Sequence, residues 1–264
     1  MGFSIIGIVA VTVIGIICAI VLVIAAKFMS VPVDERIPAV RECLPGANCG
    51  ACGFAGCNGY AEAVVNDETL PLTLCTPGGA AAAAGIAGVL GREAGESVKK
   101  VAVINCMGDC NKTKNKSDYK GIQTCTAANL LFGGPASCAY GCIGLGECAE
   151  ACPENAICIV DGLARVDTRL CVGCGICSKV CPKHIITIQP VTDKVKVLCS
   201  NKDKGATVKK TCSTGCMGCG VCSKMCPESA ITMTDNKPVI DYSKCTSCGT
   251  CAQKCPAKCI VVEG

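Results

Sequence analysis

Residues 212–227 read CSTGCMGCGVCSKMCP and residues 245–256 read CTSCGTCAQKCP. Each contains the run Cys-x2-Cys-x2-Cys-x3-Cys-Pro: Cys216, Cys219, Cys222 and Cys226 before Pro227, then Cys245, Cys248, Cys251 and Cys255 before Pro256. It recurs at Cys171, Cys174, Cys177 and Cys181 before Pro182. Three soft sulfur ligands at this spacing suit three corners of a [4Fe–4S] cube, while the fourth, set before proline, reaches across to the neighbouring cube. Glycines in the run (Gly173, Gly175, Gly218, Gly220, Gly249) let the loop approach inorganic sulfide and turn its N–H groups toward the cluster's negative charge. Proline stops the loop from winding on. Two such runs exchange ligands and make two clusters. The pairing predicts Cys216, Cys219 and Cys222 with Cys255 on one cube, and Cys245, Cys248 and Cys251 with Cys226 on the other.

Upstream, CAYGCIGLGECAEACP (138–153) aligns without gaps to residues 212–227, and the stretch from Lys100 to Cys106 echoes that from Lys194 to Cys199, a β-branched strand ending in cysteine. An internal repeat explains both. In the first copy Cys171, Cys174 and Cys177 pair with Cys152. The remaining cube is irregular, because Leu145 stands where the second copy has Cys219. Cys142, Cys148 and Cys181 remain, and Cys138 is the nearest replacement, so the expected set is Cys138, Cys142, Cys148 and Cys181. The alternative is a three-cysteine site holding a [3Fe–4S] form or a cluster with a labile iron.

Further sulfur lies outside these runs. Cys49-x2-Cys52-x4-Cys57-x17-Cys75 gives three thiols on a glycine-rich loop and a fourth returning after a helix-like stretch at 60–65, which fits another [4Fe–4S] site. Cys106, Cys110 and Cys125 match no ferredoxin run. They leave open a further cluster whose fourth partner would come from Cys138, Cys158, Cys199 or Cys212. The expectation is thus at least five [4Fe–4S] clusters, and six if that last site forms. Cys43, Cys158 and Cys259 read as packing residues. Zinc ribbons also use Cys-x2-Cys pairs, but as separated pairs and often with histidine. Here the units are triplets with a remote prolyl cysteine, and the single histidine, His184, reads as a surface residue.

The chain begins with an uncharged apolar run, Phe3 to Ala26, of a length that can cross a ~30 Å hydrocarbon core. No basic residue precedes it and no small-residue cleavage site ends it, so it reads as a retained anchor. Lys27, Arg36 and Arg41 follow, which puts the remainder on the cytoplasmic side of the cell's inner membrane. Disulfides are rare in that reducing compartment. The 264 residues carry 29 cysteines but four Phe, four Tyr and no Trp, too little aromatic bulk for an ordinary core. A net charge of +4 is far from what phosphate neutralisation needs, so nucleic acid is not expected as a partner. The expected architecture is α+β: a transmembrane anchor (1–27), a [4Fe–4S] domain with an Ala/Gly-rich helix (28–100), and two tandem ferredoxin-like domains (101–192, with a cysteine-rich insertion, and 193–264).

At LPGANCGACGFAGC (44–57), following one apolar span and preceding ferredoxin runs, the sequence resembles the B subunit of the Rnf complex, the ion-translocating ferredoxin:NAD oxidoreductase. The resemblance extends along essentially the whole chain. Two ferredoxin-like pairs and the cysteines at 106–125 make it similar to the longer, anaerobe type; Leu145 departs from the pattern. The resemblance implies an electron-transfer subunit of a translocase, with no substrate chemistry of its own. It would accept electrons from reduced ferredoxin and pass them toward membrane and peripheral partner subunits, among them an NAD-reducing flavoprotein. A basic stretch (Lys194, Lys196, Lys202, Lys204, Lys209, Lys210) offers a docking surface for an acidic donor. Two rival readings are a polyferredoxin serving a membrane hydrogenase or formate-oxidising complex, and a membrane-tethered zinc or thiol scaffold.

Overall fold

The computed structural model describes residues 2–28 and 34–263. Helix α1 runs over Gly2–Phe28. Its described side chains, Gly7 and residues 12–25, are exposed except Ala25. Among the described residues no helix is long and apolar enough to cross a membrane. Of the expected span 3–26, the side chains of residues 3–6, 8–11 and 26 lie outside the described set.

Three helices, α2 (Arg36–Glu42), α3 (Gly56–Asn66) and α4 (Gly79–Leu90), form the first folded unit. The Ala/Gly composition of α4 lets helices approach closely, and Val40, Tyr60, Val64, Leu72 and Ile86 fill the space between them. The Tyr60 hydroxyl is satisfied by donating to the Pro71 carbonyl at 3.0 Å.

The rest of the chain is one plan written twice. In the first copy β1 (Lys100–Ile104) pairs antiparallel with β4 (Ile186–Pro190), and β2 (Ile157–Val160) with β3 (Leu163–Val166). In the second, β5 (Val195–Val197) pairs with β8 (Ile260–Val262), and β6 (Ile231–Thr234) with β7 (Lys237–Ile240). First strand thus meets last, enclosing a hairpin. The hairpins turn on Asp161-Gly162 and Asp235-Asn236, all at positive φ, as a two-residue turn between twisted strands requires.

Between the strands lie the short helices α6 (Glu147–Glu150), α7 (Ile176–Val180), α9 (Val221–Lys224) and α10 (Thr250–Gln253). Each starts directly after a left-handed glycine, Gly146, Gly175, Gly220 or Gly249. These glycines reverse the loop so that the last cysteine of each triplet falls on the first helical turn. Two further helices lie outside this pattern: α5 (Cys125–Leu130) in the insertion and α8 (Gly205–Thr211) before the second run. Residues 204–207 open α8, which places Val208 in a fully buried site.

Sulfur replaces carbon in these cores. Of the eight buried residues at the centre of the second copy, four are Cys216, Cys222, Cys251 and Cys259. Backbone approach is equally tight. Gly173, at φ +67°, would place a Cβ 2.5 Å from the Lys100 carbonyl oxygen. Gly173→Ala should therefore destabilise the first copy by about 2–3 kcal/mol. An anaerobic guanidinium titration followed by visible absorbance should show an earlier midpoint; an unshifted midpoint would refute the clash.

Candidate metal centres

The first centre is built by the loop that enters α3. Asn48 accepts the Cys57 N–H on its Oδ1 at 2.9 Å, and so closes the loop carrying Cys49 and Cys52 onto the helix start. Cys75 returns beside them. Burial raises its pKa, and the Cys57, Cys52 and Cys49 thiols push it the same way.

In the second copy Cys216, Cys219, Cys222 and Cys255 surround one void of about 320 Å³. Cys226, Cys245, Cys248 and Cys251 surround another of about 340 Å³. The prolyl cysteines do cross over, each lining the void of the other triplet. Cys259 was expected only to pack. It is fully buried in the core of the second copy, and its Sγ also lies 3.7 Å from that of Cys255 on the wall of the first void. A cysteine four residues after a prolyl cysteine is the signal that would have found it. In the first copy Cys171 and Cys177 are buried in one core cluster with Cys152 packed against it, and burial together with the Cys174, Cys171 and Cys152 thiols raises Cys177 to about 11. The Ala102 N–H donates to Cys171 Sγ at 3.4 Å and the Ala156 N–H to Cys152 Sγ at 3.3 Å. The Ala230 N–H repeats the latter bond on Cys226 at 3.4 Å.

The irregular centre differs from expectation. A void of about 390 Å³ is lined by Cys142, Cys148 and Cys181, and its fourth sulfur is Cys125. Helix α5 delivers Cys125. Thr124 caps it by accepting the Ala127 N–H, and Glu147 Oε2 accepts both the Thr126 N–H (3.0 Å) and its hydroxyl (2.9 Å), tying α5 to α6. Lys183 Nζ clasps the same insertion through the Gly133 and Ala139 carbonyls. Burial pushes Cys148 up to about 12, with Cys142, Cys125 and Cys181 adding to the rise. Leu145 instead faces the adjoining polar cleft.

Cys138 lines a separate void, together with Cys106, Cys199 and Cys212. The trio Cys106, Cys110 and Cys125 is thus divided among three places. The Cys110 N–H donates to the Asp161 carbonyl at 2.9 Å, and its side chain is left on the exposed cleft. Cys158 and His184 are exposed, and Cys43 Sγ donates to the Ala39 carbonyl. Of the basic stretch, Lys196 is 1 % exposed and paired with Glu263, so it belongs to no surface. Lys202 is paired with Asp235 at 3.0 Å. Lys194, Lys204, Lys209 and Lys210 are exposed.

The donor set fits iron–sulfur cubes. Among the described residues no group of three or more His, Cys, Asp or Glu side chains is placed to hold a single metal ion. A cube needs its sulfurs spread around a void, with N–H groups aimed at them. Buried thiols with raised pKa lose their protons when metal binds, which links loading to folding. Neighbouring sets also lie side by side: Lys179 Nζ donates to the Cys49 carbonyl at 3.1 Å, and Cys148 and Cys177 share one buried core cluster.

Comparison with known proteins agrees. The family described as "Putative Fe-S cluster" matches residues 44–77, a "4Fe-4S binding domain" residues 164–187, and a "4Fe-4S dicluster domain" residues 215–259. The B subunit of the proton-translocating ferredoxin:NAD(+) oxidoreductase complex of Clostridium ljungdahlii is 48% identical over 89% of this chain and 83% of its own length. The corresponding subunit of the Na(+)-translocating complex of Acetobacterium woodii is 44% identical over 87% of this chain and 69% of its own. The B subunit of the ion-translocating oxidoreductase complex of Methanosarcina acetivorans is 41% identical over 76% of each. With its ferredoxin runs, its LPGANC loop and relatives of this closeness along most of its length, the chain belongs to the family of B subunits of ion-translocating ferredoxin:NAD(+) oxidoreductase complexes.

Proposed function

We propose that this chain is the membrane-anchored electron relay of such a complex, accepting electrons from reduced ferredoxin and passing them to its partner subunits, including an NAD-reducing flavoprotein. The observation that carries the reading is the adjacency of successive thiol sets: Lys179, within the 171–181 run, donates from Nζ to the Cys49 carbonyl at 3.1 Å, and Cys148 and Cys177 are buried in one core cluster. Bound [4Fe–4S] clusters supply one-electron carriage at low potential. The protein holds them close together and tunes them through hydrogen bonds to sulfur.

Five clusters are assigned. Their ligands are Cys49, Cys52, Cys57 and Cys75; Cys152, Cys171, Cys174 and Cys177; Cys125, Cys142, Cys148 and Cys181; Cys216, Cys219, Cys222 and Cys255; and Cys226, Cys245, Cys248 and Cys251. The anchor is the apolar run 3–26, with the cluster-bearing domains 28–100, 101–192 and 193–264 on the cytoplasmic side. The zinc or thiol scaffold has no use for sulfurs arranged in this way, and the relatives named above are B subunits of ion-translocating oxidoreductase complexes, which does not favour a hydrogenase or formate-oxidising relay.

Docking of an acidic donor is assigned to the exposed Lys194, Lys204, Lys209 and Lys210. Anaerobic stopped-flow mixing of the full chain with reduced ferredoxin should bleach the cluster absorbance. Changing Lys204, Lys209 and Lys210 to Gln should slow that reduction about tenfold at low ionic strength. A wild type that stays unreduced would end the relay reading. A triple variant with an unchanged, salt-insensitive rate would end the docking assignment alone.

A further inference from the structure

We propose a sixth [4Fe–4S] site, held by Cys106, Cys138, Cys199 and Cys212 at the junction of the two ferredoxin-like copies. None of the three matching families reaches these residues: they cover 44–77, 164–187 and 215–259. The four sulfurs line a void of about 330 Å³, the size of the 320 and 340 Å³ voids of the dicluster run.

Symmetry is the second argument. Aligning 138–153 with 212–227 makes Cys138 the counterpart of Cys212, and aligning the preceding strands makes Cys106 the counterpart of Cys199. Each copy therefore contributes the same two positions. The hydrogen bonds repeat as well. The Cys142 N–H donates to Cys106 Sγ at 3.5 Å, and its counterpart, the Cys216 N–H, donates to Cys199 Sγ at 3.2 Å. Gly141 and Gly215 bond back to the carbonyls of Cys138 and Cys212 in the same way. Such pseudo-two-fold placement of four thiols around one void is what a cube shared between two copies requires.

The surroundings are tailored to an anion. The Gly108 N–H adds a second bond to Cys106 Sγ at 3.4 Å. The Asn201 side chain, 2 % exposed, donates from Nδ2 to Cys138 Sγ at 3.4 Å, while its Oδ1 accepts the Asp203 N–H. The Thr214 hydroxyl lies 3.6 Å from Cys212 Sγ. Every sulfur of the set thus has a polar hydrogen near it. The site also closes a gap. Cys142 and Cys216, whose N–H groups bond to it, belong to the centres on either side, so six sets form one unbroken line through both copies. This inference rests on the relay reading for that consequence, but not for the site itself.

Iron and acid-labile sulfide, measured on the full chain purified anaerobically in detergent, test it. Six cubes require about 24 iron atoms per chain and five about 20. The expected result is the larger figure, falling by about four iron and four sulfide in Cys199→Ala and unchanged in Cys110→Ala and Cys158→Ala. A wild type near 20, stoichiometric zinc alongside 20 iron, or a Cys199→Ala protein that keeps its full iron would overturn the site. Iron-free wild type would instead overturn the relay reading itself. Should Cys199→Ala fail to fold, Asn201→Leu gives an independent arm. Lost donation to Cys138 Sγ should lower the midpoint potential of one centre in a paramagnetic-resonance titration, with iron content kept. Midpoints unchanged throughout would refute the assignment.

Discussion

Removing the iron anaerobically with a chelator will unfold residues 100–263 while much of the α2–α4 unit keeps its helices. The reason lies in what each core is made of. Between α2, α3 and α4 the buried side chains are mostly Val, Leu, Ile, Ala and Tyr, and α3 and α4 are 11 and 12 residues long. The ferredoxin-like copies have only two-stranded sheets of three to five residues and helices of four to seven. A lone two-stranded ribbon is marginal in water, and a one-turn helix does not hold by itself. Half of the buried centre of the second copy is cysteine. Small domains with so little apolar burial depend on staples, and here metal-binding energy is folding energy. Far-UV circular dichroism should lose its strand contribution. Hydrogen exchange should show β1–β8 unprotected and α3 still slow. Protection in β1–β8 that survives complete iron removal would contradict this account.

The second large effect concerns the irregular centre. Cys125→Ala should cost about four iron and four sulfide per chain, because the void shared with Cys142, Cys148 and Cys181 then has three sulfurs. Cys138→Ala should leave that centre's paramagnetic-resonance signal in place, since Cys138 lines a different void. Loss of the Cys125 centre would also interrupt the line between Cys177 and Cys142, so reduction arriving at one copy should reach the other only slowly. If Cys138→Ala removes the signal that Cys125→Ala spares, the two assignments must be exchanged.

Cys125 shows where sequence stops being informative. The regular centres could be read because their ligands lie within a dozen residues on a loop whose glycines and proline dictate its course, and because the prolyl crossover is a property of the run itself. Cys125 lies 17 residues before Cys142 in an insertion with no counterpart in the second copy. Proximity along the chain favoured Cys138. What brings Cys125 home is α5, fixed by Glu147 and by the Lys183 clasp, and these are tertiary contacts that no spacing encodes. Cys199 and Cys212 are similar. Their partnership with Cys106 and Cys138 follows from how two copies pack, although the repeat alignment already paired the positions. Helices α3 and α4 and the strands around 100–104 and 195–197 were legible from apolar and β-branched patterning; α8 was not, because the burial of Val208 is decided by its neighbours.

The pairing of first strand with last has a consequence for biogenesis. Because β1 waits for β4 and β5 for β8, neither copy can close while its far end is still within the ribosome. Cys106 emerges more than a hundred residues before Cys212. During synthesis the cell therefore holds a long, sulfur-rich chain that is open to oxygen and stray metals. Iron for the second copy therefore arrives only once β8 has emerged, whereas the Cys49–Cys75 centre has all its sulfur in place long before.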